Sequence, residues 1–156
     1  MPTPSLTELY AFILHAKASC YVGGGVNSPS CRPNSHDLQF TDGDWTYIDS
    51  YFGGTDFIGE EVVWYKGTPR WAMNYYGYIL EPDLITGSQT GAMIQASLSR
   101  MYKEDRFLGG YQHTEGDLTY IDTSEGDVAR FTGHEWILRG ETKVYELLYH
   151  GGLIKA

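Results

Sequence analysis

The sequence predicts an α+β domain in which two internally duplicated helix-plus-three-strand units form one antiparallel sheet with two helices, related by a pseudo-two-fold axis. The main observation is an echo: Gly-Asp-Trp-Thr-Tyr-Ile-Asp at 43–49 returns at 116–122 with six of seven residues identical. Further echoes link 57–61 with 131–135, and 75–77 with 149–151. Self-similarity at a fixed spacing indicates repeats, and two copies are too few for a solenoid, so we expect one duplicated domain.

Length and composition agree with this expectation. The chain of 156 residues is long enough for one domain with a substantial core, and its 42% hydrophobic and 15% aromatic content is typical of a folded protein. The formal charge of −9 disfavours nucleic-acid binding, because phosphate contacts need clustered Lys and Arg. We expect a single domain over 1–156, with repeat 1 at about 5–80 and repeat 2 at about 88–154.

Targeting and cofactor motifs are not found in the sequence. No apolar run approaches the length of a membrane span, and the first residues lack the basic-then-apolar pattern of a signal peptide. We therefore expect a cytoplasmic protein with no membrane partner and with Cys20 and Cys31 reduced. Nucleotide-binding glycine motifs and metal-ligand spacings are missing, so we expect no cofactor and no metal.

Two helices are predicted from apolar spacing and capping residues. Ser5 and Glu8 have the spacing of a capping box, and an apolar face follows, so the first helix should begin there and end near Ser19. The second helix should occupy about 88–102. Its apolar stripe consists of Ile94, Leu98, Met101 and Tyr102.

Alternating apolar residues and glycine turns predict six to eight strands. The first copy should contain 38–40, 45–50, 60–66 and 71–78, and the second copy 117–123, 134–139 and 143–150. Both faces of these strands carry apolar side chains. Because two helices cover only one face, the other face should contact a ligand, loops or a partner chain, for which a homodimer is one candidate.

The segment 21–39 is the least regular part of the chain. It is rich in Gly and Pro and brings Arg32, His36 and Asp37 close together in sequence. One interpretation is a solvated connector with an Asx-type turn. The other is a loop that folds over a pocket and supplies a cation, an imidazole and a carboxylate.

Acidic residues stand beside the most apolar strands. Glu61 and Glu135 occupy equivalent positions in the two copies, and Glu60 and His134 are their neighbours on the opposite face. A carboxylic acid among buried aromatic groups has a raised pKa, because desolvation disfavours its charged form, and such groups serve as general acids or bases. Alternatively, the two Glu side chains pair across the sheet with basic residues. Arg70, Arg130 and Lys143 are the candidates.

A family resemblance follows from several motifs. These are Cys-Arg-Pro-Asn-Ser-His-Asp-Leu-Gln at 31–39, the glycine-, tyrosine- and acid-rich stretch 43–61, Trp-Ala-Met-Asn-Tyr at 71–75 and Tyr-His-Gly-Gly at 149–152. Together they resemble an uncharacterised bacterial family, domain-of-unknown-function family 5680, over nearly the whole chain. Members of that family occur alone or behind a repressor-like helix-turn-helix domain, and the second arrangement implies an effector-sensing role. The resemblance implies no established activity.

Two function classes fit the sequence. The first is a small-molecule-binding domain with an aromatic, acidic cleft that suits a cationic or hydroxylated organic ligand. The alternative is a cofactor-independent small enzyme, a hydrolase, isomerase or cyclase, that uses Glu or His acid-base chemistry on a small organic substrate. A purely structural or dimerisation role is a third, weaker interpretation.

The same residues serve either function. Glu61 is the principal candidate acid/base or ligand anchor, in a pocket walled by Tyr47, Trp71 and Tyr75, because the Phe-x-Gly-x-Glu turn aims side chains inward at Gly59. The other catalytic candidates are His36 and Asp37. The ligand-binding candidates are Arg32, Tyr47, Glu60, Trp64, Trp71, Asn74, Tyr75, Glu135 and Tyr149.

Overall fold

The computed structural model describes residues 3–21 and 26–155 and contains two helices on one face of an antiparallel sheet. The helices are α1 (Leu6–Tyr21) and α2 (Gly87–Tyr102). Over the described residues the sheet has nine strands: β1 (Val26–Ser28), β2 (His36–Asp42), β3 (Trp45–Gly53), β4 (Phe57–Tyr65), β5 (Thr68–Ile79), β6 (Tyr111–Glu115), β7 (Leu118–Asp127), β8 (Arg130–Arg139) and β9 (Thr142–Leu153). The predicted α+β class, with two helices and an antiparallel sheet, is confirmed.

The strand order is β1-β2-β3-β4-β5-β9-β8-β7-β6. Two meanders of sequential strands therefore meet at the β5–β9 pair, where Tyr75 lies opposite Tyr149. The segment 43–49 forms the β2–β3 turn and the start of β3, and 116–122 forms the β6–β7 turn and the start of β7. Gly43 and Gly116 have positive φ values of 55° and 62°, which glycine adopts at no steric cost.

The prediction of six to eight strands was too low. Strand β1 lies in the Gly/Pro-rich segment that was predicted as a loop, and its three residues pair with β2, for example Asn27 with Leu38. The glycine run at 23–25, which was also predicted to be part of this loop, lies outside the described residues. Strand β6 is a polar edge strand, from Tyr111 to Glu115, and it lacks the apolar alternation that makes a strand visible in sequence.

Both helix starts have capping boxes. The Ser5 Oγ atom accepts a hydrogen bond from the Glu8 N–H at 3.2 Å, and the Glu8 carboxylate accepts one from the Ser5 N–H at 2.8 Å, as the sequence predicted. Thr86 and Gln89 form the same arrangement at α2. These bonds satisfy backbone N–H groups that a helix leaves without intrahelical partners.

Alternation along the strands separates two faces of the sheet. The buried residues of β4 and β5, such as Val63 and Met73, are all odd-numbered and lie on the face that carries the helices. Even-numbered residues point to the opposite face, which no described helix covers, and there Ile58 and Tyr76 are exposed. In the described ranges, no helix is long and apolar enough to span a membrane. Cys20 and Cys31 are free thiols.

Candidate functional site

A cavity of about 120 Å³ lies between the helices and the buried face of the sheet. Its walls come from both helices, from the segment after α2 and from the five strands β4, β5, β7, β8 and β9. The lining residues are Lys17, Tyr21, Phe57, Glu61, Met73, Tyr75, Ile94, Leu98, Met101, Tyr102, Phe107, Leu108, Tyr120, Asp122, Glu135, Leu147 and Tyr149. The cavity therefore combines aromatic walls with three carboxylates and one ammonium group.

A glycine on β4 lets an aromatic side chain reach across the sheet. Tyr75 pairs with Gly59, and a Cβ atom at Gly59 would collide with the Tyr75 ring. The ring therefore crosses β4 and donates its hydroxyl proton to Asp49 Oδ1 on β3, at 2.5 Å. This is the physical role of the glycine in the Phe-x-Gly-x-Glu motif.

The same arrangement occurs in the second meander. Tyr149 on β9 pairs with Gly133 on β8, where a Cβ atom would overlap the tyrosine ring. Its hydroxyl donates to Asp122 Oδ1 on β7 at 2.8 Å. Each meander thus places a tyrosine hydroxyl on an aspartate two strands away.

The first carboxylate pair, Asp49 and Glu61, lies on neighbouring strands and contacts α1. The Lys17 ammonium lies 2.5 Å from Glu61 Oε2 and also donates to the sulfur of Met73 at 3.4 Å. The Tyr21 hydroxyl lies 3.1 Å from both Asp49 Oδ2 and Glu61 Oε1. Since a hydroxyl has a single proton, Tyr21 satisfies both carboxyl groups fully only when one of them is protonated.

The second carboxylate pair, Asp122 and Glu135, also lies on neighbouring strands. Glu135 accepts hydrogen bonds from Tyr120 at 2.5 Å and from Tyr145 at 3.1 Å, one on each oxygen. Asp122 Oδ2, in contrast, is buried and has no partner among the described residues. Leaving a buried acceptor unpaired costs about 1–3 kcal/mol, so such an atom is rare without a functional reason.

Burial shifts the acidity of three of these groups. Desolvation, followed by the neighbouring Glu61 charge, raises the pKa of Asp49 to about 7. Desolvation likewise raises the pKa of Asp122 to about 6 and that of Glu135 to about 7. All three carboxylic acids therefore change protonation near neutral pH, the range in which acid-base groups and proton-linked binding sites operate.

An outer depression of about 380 Å³ adjoins the cavity. The two share four lining residues: Tyr21, Phe57, Tyr75 and Ile94. The outer depression also reaches Asp49, the glycine turn at 53–54 and the first turns of α2. These four shared side chains form the boundary between an inner acidic cavity and a wider, more open region.

Four of the predicted site residues line the inner cavity: Glu61, Tyr75, Glu135 and Tyr149. Glu61 is buried and paired with Lys17, which shows that a cation occupies its carboxylate already. Two of the predicted pocket walls do not line the cavity. Tyr47 is buried with its hydroxyl unpaired, and Trp71 donates its indole N–H to the Val128 carbonyl at 3.0 Å, so both belong to the core beside it.

The structure places other predicted site residues on the opposite face. Arg32, Glu60 and Asn74 line a shallow depression of about 440 Å³ there, and Trp64 points to the same face. These residues are therefore separated from the inner cavity by the sheet, because alternation places Glu60 and Glu61, which are adjacent in sequence, on opposite faces.

The 31–37 loop does not close over the inner cavity either. Asp37 is buried and accepts hydrogen bonds from Cys31 N, Ser35 Oγ and Ser50 Oγ at 2.7–2.8 Å. Burial alone raises the pKa of Asp37, but these hydrogen bonds outweigh it and hold the pKa at about 2. Arg32 binds the Ser50 carbonyl at 2.9 Å, and His36 is exposed beside Tyr51. These contacts anchor the loop to β3.

Sequence reasoning missed several residues of the cavity and of the outer depression. Asp49 and Asp122 end the two repeated heptapeptides, so the echo itself marks their positions. Lys17 lies four residues after Ile13, on the apolar face of α1, and a lysine at such a position is a signal of a buried charge pair. Tyr21 is the last residue of α1, beyond the predicted helix end at Ser19.

The fold and the cavity together define an α+β protein with an acidic, tyrosine-rich cavity between two helices and a sheet. The chain belongs to the family described as Domain of unknown function (DUF5680), which matches residues 49–154. This match begins at Asp49 on β3 and covers β4–β9 and α2, so it includes both carboxylate pairs. No curated protein and no solved structure matches the chain.

Proposed function

We propose that this domain binds a small organic molecule in the inner cavity, with the outer depression as its entrance. The observation that carries the proposal is Asp122, a buried cavity-lining carboxylate with one oxygen lacking a hydrogen-bond partner. Aromatic walls and a few convergent polar groups are the usual composition of a ligand site. The hydroxyl of Tyr47 in the adjoining core is also unpaired, but an unpaired carboxylate oxygen costs more than an unpaired neutral hydroxyl, and Asp122 alone of the two lines the cavity.

The size of the cavity limits the ligand. A volume of about 120 Å³ is somewhat smaller than the ~150 Å³ of a protein cavity that holds one benzene molecule. A small head group of a few heavy atoms fits this space. A larger ligand would place the rest of its body in the outer depression of about 380 Å³, past Tyr21 and Tyr75.

Methionine methyl groups provide a direct test. Met73 and Met101 line the cavity, whereas Met93 is buried but does not. With ¹³C-labelled methionine methyls, a bound ligand should shift the NMR signals of Met73 and Met101 and leave the Met93 signal in place. The proposal would be contradicted if the compounds shifted all three signals equally. It would also be contradicted if no compound in a broad set of small organic molecules shifted the Met73 and Met101 signals.

An enzymatic role is the second candidate, and one specific feature favours it. Tyr75, Asp49, Tyr21, Glu61 and Lys17 form a continuous hydrogen-bonded chain, and the pKa of Asp49 is raised to about 7. Such a chain could move a proton to or from a substrate held beside Tyr21. Once a ligand is identified, Glu61→Gln should lower its turnover by a factor of about 100 or more while binding persists. If the domain only binds its ligand, neither the unaltered protein nor the Glu61→Gln variant will show turnover.

We further propose that the two meanders are copies related by an approximate two-fold axis beside the β5–β9 pair. The palindromic order of β2–β5 and β9–β6 supports it, as do the matching contacts of Asp49 with Tyr75 and Asp122 with Tyr149. Fitting the Cα atoms of 43–49 and 57–79 onto those of 116–122 and 131–153 tests the proposal. A fit that requires a rotation far from a half-turn would contradict it.

A further inference from the structure

We propose that the ligand of the inner cavity is a small organic cation whose ammonium group binds Asp122. This inference rests on the proposed function and names its ligand class. The two meanders offer a comparison, because each contains an aspartate that accepts a tyrosine hydroxyl on Oδ1: Asp49 from Tyr75 and Asp122 from Tyr149. They differ at the second oxygen.

The second oxygen of Asp49 lies 3.1 Å from the Tyr21 hydroxyl, whereas Asp122 Oδ2 has no partner among the described residues. The Asp122 residue is only 5% exposed and lines the cavity. An ammonium group has three hydrogen-bond donors and no acceptor, and it would satisfy this oxygen.

The helices explain the difference. Both α1 and α2 have 16 residues, and counted from their starts Lys17 and Tyr21 of α1 correspond to Leu98 and Tyr102 of α2. Leucine therefore stands in the second helix where the first helix has the lysine that neutralises Glu61. The Asp122–Glu135 pair has no lysine of its own at this point, and a ligand ammonium would supply the same charge.

The surroundings favour a cation over a neutral or anionic ligand. Of the residues that line the cavity, Lys17 alone carries an ammonium group, and it already contacts Glu61. Aromatic side chains line the same space, and an aromatic ring can stabilise a cation that lies over its face. They belong to Tyr102, Phe107, Tyr120 and Tyr149. In the described part of the chain, no three His, Cys, Asp or Glu side chains converge as metal ligands, which favours an organic cation.

Cation binding should release protons. Desolvation raises the pKa of Asp122 to about 6 and that of Glu135 to about 7, and a positive charge beside them would favour their ionised forms. The other titratable groups around Asp122 come from α1, α2, the segment after α2 and β7–β9. They are Lys17, Tyr102, Arg106, Tyr120, His134 and Tyr149.

The test compares three probes of equal length and different charge: n-propylammonium, n-propanol and propionate. Binding is followed by the Met73 and Met101 methyl signals and by calorimetry in buffers of different ionisation enthalpy, which counts released protons. We expect n-propylammonium to bind at least about ten-fold more tightly than the other two, as a charge-assisted hydrogen bond implies. Proton release should accompany it near pH 6–7.

Variants localise the binding. Asp122→Asn should weaken n-propylammonium binding by about ten-fold or more. Asp117→Asn makes the same charge change at an exposed site that does not line the cavity and should leave binding unchanged. Leu98→Lys should place an internal ammonium beside Asp122 and abolish probe binding.

The outcomes separate this inference from the proposed function. Tighter binding of propanol or propionate at Met73 and Met101 would overturn the cation assignment while supporting a ligand cavity. Equal loss in the Asp122 and Asp117 variants, or unchanged binding in Leu98→Lys, would overturn the role of Asp122. No probe binding at all would contradict both proposals.

An independent observation concerns the open face of the sheet. Three large apolar side chains, Ile58, Tyr76 and Leu148, are 53%, 47% and 56% exposed. They lie side by side on the central strands β4, β5 and β9, because Tyr76 pairs with both Ile58 and Leu148. A contiguous exposed apolar row usually marks a contact surface.

We infer that a second copy of this chain covers this face, about a two-fold axis that runs along β5. Glu60, Asn74 and His150 form a polar row next to the apolar one, in register on the same three strands. The axis places β4 of one copy over β9 of the other. Ile58 then meets Leu148 of the second copy, and Glu60 meets its His150, so one operation satisfies the apolar and polar rows together.

Sedimentation equilibrium with paired variants tests this interface. The unaltered protein should be a dimer, and the Leu148→Lys variant should be a monomer that circular dichroism shows to be folded. The control variant Leu84→Lys, at an exposed leucine before α2, should remain a dimer. His150→Glu should weaken the dimer by placing Glu against Glu60, and adding Glu60→His should restore it. A monomeric unaltered protein, or a double variant no better than His150→Glu, would overturn the inference.

Discussion

The hydroxyl oxygen of Tyr75 lies 2.5 Å from Oδ1 of Asp49, although the two residues stand on strands separated by β4. The contact exists because Gly59 on the intervening strand has no side chain where the tyrosine ring passes. Tyr149, Gly133 and Asp122 repeat the contact in the other meander. The acidic cavity therefore depends on two glycines as much as on its carboxylates.

Substituting one of these glycines should disturb the cavity. Gly59→Ala places a methyl group against the Tyr75 ring and the Tyr51 side chain, and such overpacking typically costs about 1–3 kcal/mol of the free energy of unfolding. Urea denaturation measures the effect. Gly91→Ala is the control, because a Cβ atom there meets nothing within 4 Å and helix propensity favours alanine by about 1 kcal/mol. Equal stability changes in the two variants would contradict this role for Gly59.

Much of this architecture could be predicted because the repeated segments combine turn glycines with alternating apolar residues. The echo also drew attention to Glu61, Glu135, Tyr75 and Tyr149, which all line the cavity. Strand β6 could not be predicted in the same way, since Gln112, Thr114 and Glu115 show no apolar period. Edge strands of this kind are held by pairing with a neighbour, which depends on tertiary structure.

The candidate site was harder to predict for two physical reasons. The position of Lys17 on the apolar face of α1 indicates a buried charge, but its partner could not be predicted, because only the packing of α1 on the sheet brings it to Glu61. Arg32 and Asp37 offer the same chemistry whether they serve a pocket or a loop. Their hydrogen bonds to Ser50 show that they anchor the loop on the face opposite the cavity.

The buried ion pair between Lys17 and Glu61 should contribute strongly to the free energy of unfolding. Lys17→Met removes one partner of a buried pair and should lower the free energy of unfolding by about 3–5 kcal/mol at neutral pH. Adding Glu61→Gln should recover most of this loss, because no unpaired charge remains. Lys66→Met breaks the exposed pair with Asp44 and should cost less than about 1 kcal/mol. A double variant no more stable than Lys17→Met would show that the lysine stabilises the fold by packing alone.

The free energy of unfolding should decrease as the pH rises from 4 to 7. The pKa of Asp49 is raised to about 7, that of Asp122 to about 6 and that of Glu135 to about 7, against ~4 in unfolded chains. In this window the folded state holds more protons than the unfolded state. The free energy of unfolding therefore falls as pH rises, by up to about 1.4 kcal/mol per unit of pKa difference.

Asp37 and Glu146 should have the opposite effect at lower pH, where the free energy of unfolding should rise with pH. The pKa of Asp37 is about 2, as its hydrogen bonds outweigh burial, and hydrogen bonding from Tyr78 and Lys143 holds that of Glu146 at about 2. Their contribution is complete above pH ~4 and is lost as pH falls towards 2. Urea midpoints across this range should peak at about pH 4–5. Asp49→Asn should flatten the slope on the neutral side, and a maximum at pH 7 or above would refute the proposed acidities.

The most direct test of a cation site at Asp122 is the acidity of its own carboxyl group. Carboxyl ¹³C NMR titration of the free protein should give Asp122 a raised pKa of about 6. With saturating n-propylammonium we expect the pKa of Asp122 to fall by about one unit or more, because a neighbouring positive charge favours the ionised form. An Asp122 pKa that stays the same or rises when the probe is bound would rule out a cation site at this residue.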